Sequence, residues 1–220
     1  MPDAVIFDLD GVLADSEQLW NEAKQEVVQE TGGRWHEDAP RDMMGMSSPE
    51  WSAYMHDELA VPLASEEINQ RVVARMEALY RERLPLLPGA VEAVRAIAGR
   101  WPVGLASSSN REIIDLFLTE SGLHDALRTA VSSEEVPRGK PAPDVYLETA
   151  RRLDAEPSAC VAVEDSSNGL RAAVAAGMPA IAVPNPHYPP EEEALALAAV
   201  VVRSVGEVTP ELVERAASSA

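Results

Sequence analysis

Six short apolar runs, at residues 3–8, 102–106, 128–132, 159–163, 179–183 and 199–202, constrain what this chain can fold into more than any other feature. They are rich in Val and Ile, and most are near-continuously apolar rather than apolar at every second position. Runs of that kind read as strands buried on both faces. Between most of them, apolar residues recur at helical spacing: Val91, Val94 and Ile97, then Ile113, Ile114, Phe117 and Leu118. Alternation of this sort predicts an α/β fold with a doubly wound parallel sheet covered by helices. Its ligands should sit beyond the carboxyl ends of the strands.

From residue 16 to residue 85 the alternation stops. No strand is legible there. Leu19, Ala23 and Val27 recur at four-residue spacing, as do Ile68, Val72, Met76 and Tyr80. "LPLLPG" (84–89) reads as a closing linker. The expectation is an α-helical domain at 16–85 inserted into a core made of residues 1–15 and 86–220, with hinges near Asp15–Ser16 and Leu84–Pro88. A chain of 220 residues suits one core domain with such an insertion.

A net charge of −19 argues against nucleic acid or an anionic membrane as partner, because phosphate-rich surfaces are bound by Lys and Arg. A small phosphate can still bind where a metal and one or two cations are local. Lys24 and Lys140 are the only lysines. Cys160 is the sole cysteine, so no intrachain disulfide forms, and it reads as a buried structural thiol. Acids at Asp3 and Asp8 do not fit a secretory leader. The charge-free stretch 172–190 is broken by Gly177 and prolines, so it does not fit a membrane span. A cytoplasmic monomer without a membrane partner is the expectation.

Four strand ends carry the polar residues. "VIFDLDGVLADS" (5–16) ends its strand in Asp8 and Asp10. "GLASSSN" (104–110) runs into Ser107, Ser108, Ser109 and Asn110. "RGKPAPDVY" (138–146) presents Lys140 before two prolines, and "VAVEDSSNG" (161–169) ends in Glu164 and Asp165. Carboxylates at buried strand ends are costly unless compensated. In a doubly wound sheet these ends share one rim, where mutual repulsion calls for a cation. An all-oxygen ligand set suits Mg²⁺. Ser107 offers a hydroxyl donor and Lys140 a point charge for a phosphoryl group. Ser166 and Ser167 read as helix caps.

"DLDGVLADS", Ser107 after an apolar strand, "GKPAPDVY" and "VEDSSNGLRAAVAAGM" together resemble the four motifs of the haloacid dehalogenase-like superfamily, in its β-phosphoglucomutase-like phosphatase branch. The resemblance implies a helical cap between the first two motifs and a Mg²⁺-dependent phosphatase working through an aspartyl-phosphate. Asp8 would be the nucleophile and Asp10 the general acid and base. Asp8, the Asp10 carbonyl and Asp165 would hold Mg²⁺, with Glu164 acting directly or through water. Ser107 and Lys140 would bind the phosphoryl group. Trp20, Gly45, Met46, Ser47, Ser108 and Asn110 would meet the substrate, a small phosphorylated metabolite of sugar-phosphate or phosphoglycolate type. A phosphosugar mutase of the same branch is the alternative. Known mutases carry a cap histidine and a cap-loop arginine where this chain has Trp20 and Ser48, leaving Arg71 and Arg75 to compensate. A phospho-acceptor signalling or phosphate-binding module without turnover is the alternative of another class.

Overall fold

The computed structural model describes residues 1–44, 46–186 and 188–219. All six apolar runs form strands: β1 (Ala4–Phe7), β2 (Val103–Ser107), β3 (Thr129–Ser132), β4 (Cys160–Glu164), β5 (Ala180–Ala182) and β6 (Val200–Val201). They make one parallel sheet in the order β3-β2-β1-β4-β5-β6. The four residues of β1 are all buried, and the two sides of that strand feed two cores. Val5 and Phe7 belong to one, Ala4 and Ile6 to the other. That is why the sequence shows a continuous apolar run instead of an alternating one.

Among the described residues, ten α-helices accompany the sheet. Four of them, α1 (Glu17–Thr31), α2 (Ala39–Asp42), α3 (Ser48–Asp57) and α4 (Ser65–Glu82), lie between β1 and the rest of the core. The others are α5 (Ala90–Ala98), α6 (Arg111–Ser121), α7 (Asp144–Arg152), α8 (Ser167–Ala175), α9 (Glu192–Leu195) and α10 (Pro210–Ala217). Within the inserted group, α4 packs on both α1 and α3, and it also rests on core helix α6. The face of α4 formed by Ile68, Val72, Met76 and Tyr80 is buried, as the spacing predicts.

The chain enters and leaves the inserted helices side by side. The Asp15 amide donates to Pro85 O at 2.7 Å, and the Leu87 amide donates to Leu13 O at 3.0 Å. Ala14 and Leu86 form an antiparallel bridge between these two crossings. No helix among the described residues is long and apolar enough to cross a membrane. Cys160 is buried at the start of β4, and burial pushes its thiol up to about 12, the direction expected of an inert structural thiol.

Candidate active site

β1 lies between β2 and β4, with Phe7 level with Leu105 on one side and Val163 on the other. The carboxyl ends of these strands therefore deliver Asp8, Ser107 and Glu164–Asp165 to one rim. The Asp8 amide continues the ladder by donating to Val163 O at 2.9 Å. This rim sits where the strand order reverses, the place at which open α/β sheets bind ligands.

Two glycines make the crowding sterically feasible. Gly11 has φ +78, and a Cβ there would lie 1.9 Å from the Asp165 carboxylate. A Cβ on Gly169 would lie 1.9 Å from the Glu164 carboxylate. Any side chain at either position would expel an acid from the site.

Asp8, Glu164 and Asp165 are all buried, and each offers an oxygen within 4.8 Å of the others. Among the described residues, one cation answers them. Lys140 Nζ lies 2.9 Å from Asp8 Oδ1 and 2.6 Å from Glu164 Oε1, and it donates to Ala106 O at 3.0 Å. Burial would depress the Lys140 ammonium, but the carboxylates of Asp8 and Glu164 outweigh it and hold it above its ordinary value. Burial pushes Asp8 up to about 8; Lys140 opposes this while Glu164 and Asp10 add to it. Asp165 is driven well above the usual carboxylate range by burial and by Glu164 and Asp8. Three acids against one lysine leave an excess of buried negative charge. An all-oxygen, carboxylate-rich set in that condition fits a hard divalent cation.

Glu164 is the most heavily committed of the three acids. Its Oε1 accepts from Lys140 and from the Tyr146 hydroxyl at 2.7 Å, and its Oε2 accepts from the Asp165 amide at 3.1 Å. Ser166 caps α8 as its sequence predicts, accepting from the Gly169 amide. Ser167 opens α8, and its hydroxyl accepts from the Glu191 amide.

Asp10 is held by a ring of donors. Oδ1 accepts from the Ser16 hydroxyl and, at 3.0 Å, from Trp20 Nε1. Oδ2 accepts from Ser109 Oγ at 2.5 Å and, more weakly, from Ser107 Oγ at 3.5 Å. Ser16 stands at the N-cap of α1, yet its hydroxyl serves Asp10 and makes no capping bond. Two of the four donors thus come from the entry to the inserted helices and two from the core.

A cavity opens above this rim. Asp8, Asp10, Ser108, Ser109, Lys140 and Asp165 form its floor, and Glu17, Trp20, Asn21, Lys24, Met43, Met44, Met46 and Trp51 close it from the inserted helices. Of the expected substrate contacts, Trp20, Met46 and Ser108 line it. Ser47 and Asn110 are not among its described lining residues, because their side chains are committed elsewhere. Ser47 Oγ donates to Glu50 Oε2 at 2.6 Å at the start of α3. Asn110 joins the inserted helices to the core, accepting from Ser48 Oγ at 2.9 Å and donating to Asn69 Oδ1 at 3.0 Å and Glu134 Oε1 at 2.8 Å. Gly45 lies outside the described residues. Arg71 and Arg75 do not line the cavity: Arg71 pairs with Glu67, and Arg75 with Glu26 and Glu30, all on half-exposed side chains.

Sequence reasoning missed Ser16, Glu17, Asn21, Lys24, Trp51 and Tyr146. For the α1 residues a signal was present: 17, 21 and 24 share a helix face with Trp20. Lys24 is only 6% exposed, and its ammonium lies 5.6 Å from the Trp20 ring centroid and 5.1 Å from that of Trp51. Burial brings it down to about 8, against the pull of Asp10 and Glu17. Burial pushes Glu17 up to about 7, with Asp10 adding and Lys24 opposing.

Comparison with known proteins accords with this geometry. Residues 2–177 match the model of the haloacid dehalogenase-like hydrolases. The chain is 38% identical over 212 residues to hexitol phosphatase B of Escherichia coli, covering 94% of each chain. It is 34% identical over 178 residues to a phosphorylated carbohydrates phosphatase of Thermotoga maritima, covering 80% of this chain and 82% of that one. Among solved structures, CbbY of Rhodobacter sphaeroides in complex with phosphate superposes with a TM-score of 0.87 at 26% identity, over 97% of this chain and 100% of the other.

Proposed function

The chain belongs to the haloacid dehalogenase-like hydrolases, and on that premise we propose that it is a Mg²⁺-dependent phosphatase that removes phosphate from small sugar-type monophosphates through an aspartyl-phosphate on Asp8. The coarser part of this reading, a phosphoric monoester hydrolase acting on phosphorylated sugars, has the support of its named relatives. The finer part rests on one observation: Asp8, at the end of β1, shares a buried volume with Lys140, Glu164 and Asp165 while Asp10 is held two residues away.

Asp8 would attack phosphorus and release the alcohol, and water would then attack the phosphoryl group and regenerate the carboxylate. Asp8, Asp165 and the Asp10 carbonyl would hold Mg²⁺, which when bound supplies positive charge to the phosphoryl oxygens. Lys140 would neutralise charge on the transferring group while fixing Asp8. Glu164, whose oxygens already accept from Lys140, Tyr146 and backbone amides, would serve mainly to position that lysine.

Asp10 would protonate the leaving oxygen and then take a proton from water. The four donors would decide where that proton sits. The Trp20 indole can only donate, so Oδ1 must remain an acceptor. The neighbours of Oδ2 are hydroxyls that can rotate and accept, so the proton would sit on Oδ2. The inserted helices would act as a lid turning on the paired crossings at Asp15–Pro85 and Leu13–Leu87, since substrate entry must alternate with exclusion of water.

For the second reading, a mutase, none of Ser48, Arg71 and Arg75 brings a grip for a second phosphate to the cavity. Ser48 is bonded to Asn110, and the compensating arginines face outward. A screen of phosphorylated metabolites with Mg²⁺, repeated with EDTA, tests the proposal. Release of inorganic phosphate that EDTA abolishes is the expected result. Isomerisation of a hexose 1-phosphate outpacing phosphate release, or turnover indifferent to EDTA, would contradict it.

A further inference from the structure

Lys24 is a buried ammonium aimed into the cavity with no carboxylate within 4.0 Å and no hydrogen bond among the described residues. Burial of a charge without a partner is costly, and the Trp20 and Trp51 rings offset only part of that cost. The three N–H donors of this group therefore await an acceptor. Glu17, about two turns back on the same face of α1, brings acceptor oxygens to the same wall; its one side-chain hydrogen bond among the described residues is a long one from Asn185, at 3.4 Å. An ammonium and a carboxylate on one wall complement vicinal hydroxyls, because each hydroxyl can accept from the first and donate to the second. The two indoles supply apolar faces for the C–H groups that such a chain also carries. A second phosphate or a carboxylate on the substrate would meet Lys24 but also the fields of Glu17 and Asp10, both of which act on that lysine.

We propose that Lys24, working with Glu17, is the specificity-determining residue of the cavity, donating to a hydroxyl oxygen on a neutral, polyhydroxylated leaving group. This rests on the phosphatase reading above, and it adds that the leaving alcohol is recognised as an uncharged polyol and not as a second anion. The scissile phosphoryl group stays with the floor of the cavity, so Lys24 chooses the substrate without taking part in the chemistry.

The test compares kcat/KM for a hexitol monophosphate, p-nitrophenyl phosphate, phosphoglycolate and a hexose bisphosphate in the wild type, Lys24→Met and Glu17→Gln. The expected result is a fall of about tenfold or more in the ratio of hexitol phosphate to p-nitrophenyl phosphate for Lys24→Met, carried mainly by KM, with a smaller fall for Glu17→Gln. A ratio that stays within about twofold of the wild type overturns the proposal. So does a wild-type preference for phosphoglycolate or the bisphosphate that Lys24→Met removes, which would make Lys24 an anion site. Should the variants not fold, the wild type still decides. A free hexitol should inhibit p-nitrophenyl phosphate turnover more strongly than equal glycolate, and the reverse order overturns the proposal. An enzyme that turns over none of these phosphates contradicts the phosphatase reading instead. Quenching of tryptophan fluorescence by the hexitol monophosphate, present in the wild type and lost in Lys24→Met, then judges the subsite alone.

Discussion

The floor and the roof of the cavity are built by opposite means. On the floor, Asp8 and Glu164 sit at strand ends and Lys140 on the loop before α7, and each is fixed by a short ion pair, a backbone group or both. The roof is largely Met43, Met44, Met46, Trp20 and Trp51 on helices and their connections, with Glu17, Asn21 and, among the described residues, one ammonium that has no ion pair. Thioethers rotate freely and adapt to irregular shapes, whereas a salt-bridged carboxylate between parallel strands does not. One half of the cavity is held rigidly, and the other is built of side chains that can adapt in shape. Asp10 is where they meet, since Trp20 and Ser16 hold it from one side and Ser109 from the other.

Substitutions that separate the two halves sharpen this contrast. The largest effect is expected on the floor. Asp8→Asn should lower kcat by about 10³-fold or more, equivalent to roughly 4 kcal/mol of barrier. Its melting temperature should hold or rise, because a buried carboxylate is removed from beside two others. A variant that melts far below the wild type would mean that the floor is structural scaffolding and not machinery.

Next comes a roof residue whose effect should appear in stability before activity. Lys24 has its pKa lowered to about 8 in the folded protein, against an ordinary value of 10.5. Unfolded chains therefore bind more protons than folded ones between those values, so this group makes stability rise as pH climbs from about 8 to 10.5 and withholds it below about 8. Lys24→Met should then be the more stable protein at pH 7, by roughly 3 kcal/mol at most, with the difference shrinking at alkaline pH. Urea unfolding of both proteins across pH 7 to about 10 checks the sign. A less stable variant at pH 7 would show that the ammonium is fully compensated by its indoles.

The joint between the halves should respond less. Trp20→Phe keeps an aromatic ring but removes the N–H that reaches Asp10, so kcat should fall by about 10- to 100-fold, the worth of a hydrogen bond to a charged group. An effect confined to KM would place Trp20 wholly in the roof. Smallest of all, Asn110→Ala breaks the seam to Ser48, Asn69 and Glu134 and should cost about 1–3 kcal/mol of stability. KM should move by less than about threefold, since the side chain faces the seam and not the cavity.

The same division decides what could be read from the sequence. Strand positions, the inserted helices and the acids of the floor were legible because buried parallel strands leave continuous apolar runs, and a carboxylate at the end of such a run is costly unless something compensates it. The roof was not. Trp20, Met46 and Ser108 were drawn from resemblance, and Ser47 and Asn110 went with them although their side chains answer to Glu50 and Ser48. Which partner a short polar side chain takes depends on how two helices meet across a seam, and periodicity carries no record of that. Lys24 hid for another reason: a lysine on an amphipathic helix is ordinarily a solvated one, and only the arrival of α3 with Trp51 buries it.

The central claim is that Asp8 carries the phosphoryl group. Its most direct test is acid quenching of the Asp10→Asn variant with p-nitrophenyl phosphate, whose phenolate leaves without an acid, and Mg²⁺, followed by peptide mass mapping. Without the base that activates water, the intermediate should accumulate. The account predicts one phosphoryl group on the peptide containing Asp8, with fragmentation placing it on that residue, and none when Asp8→Asn is added. Product released in a burst with no phosphorylated Asp8, or a phosphoryl group on any other residue, would contradict it.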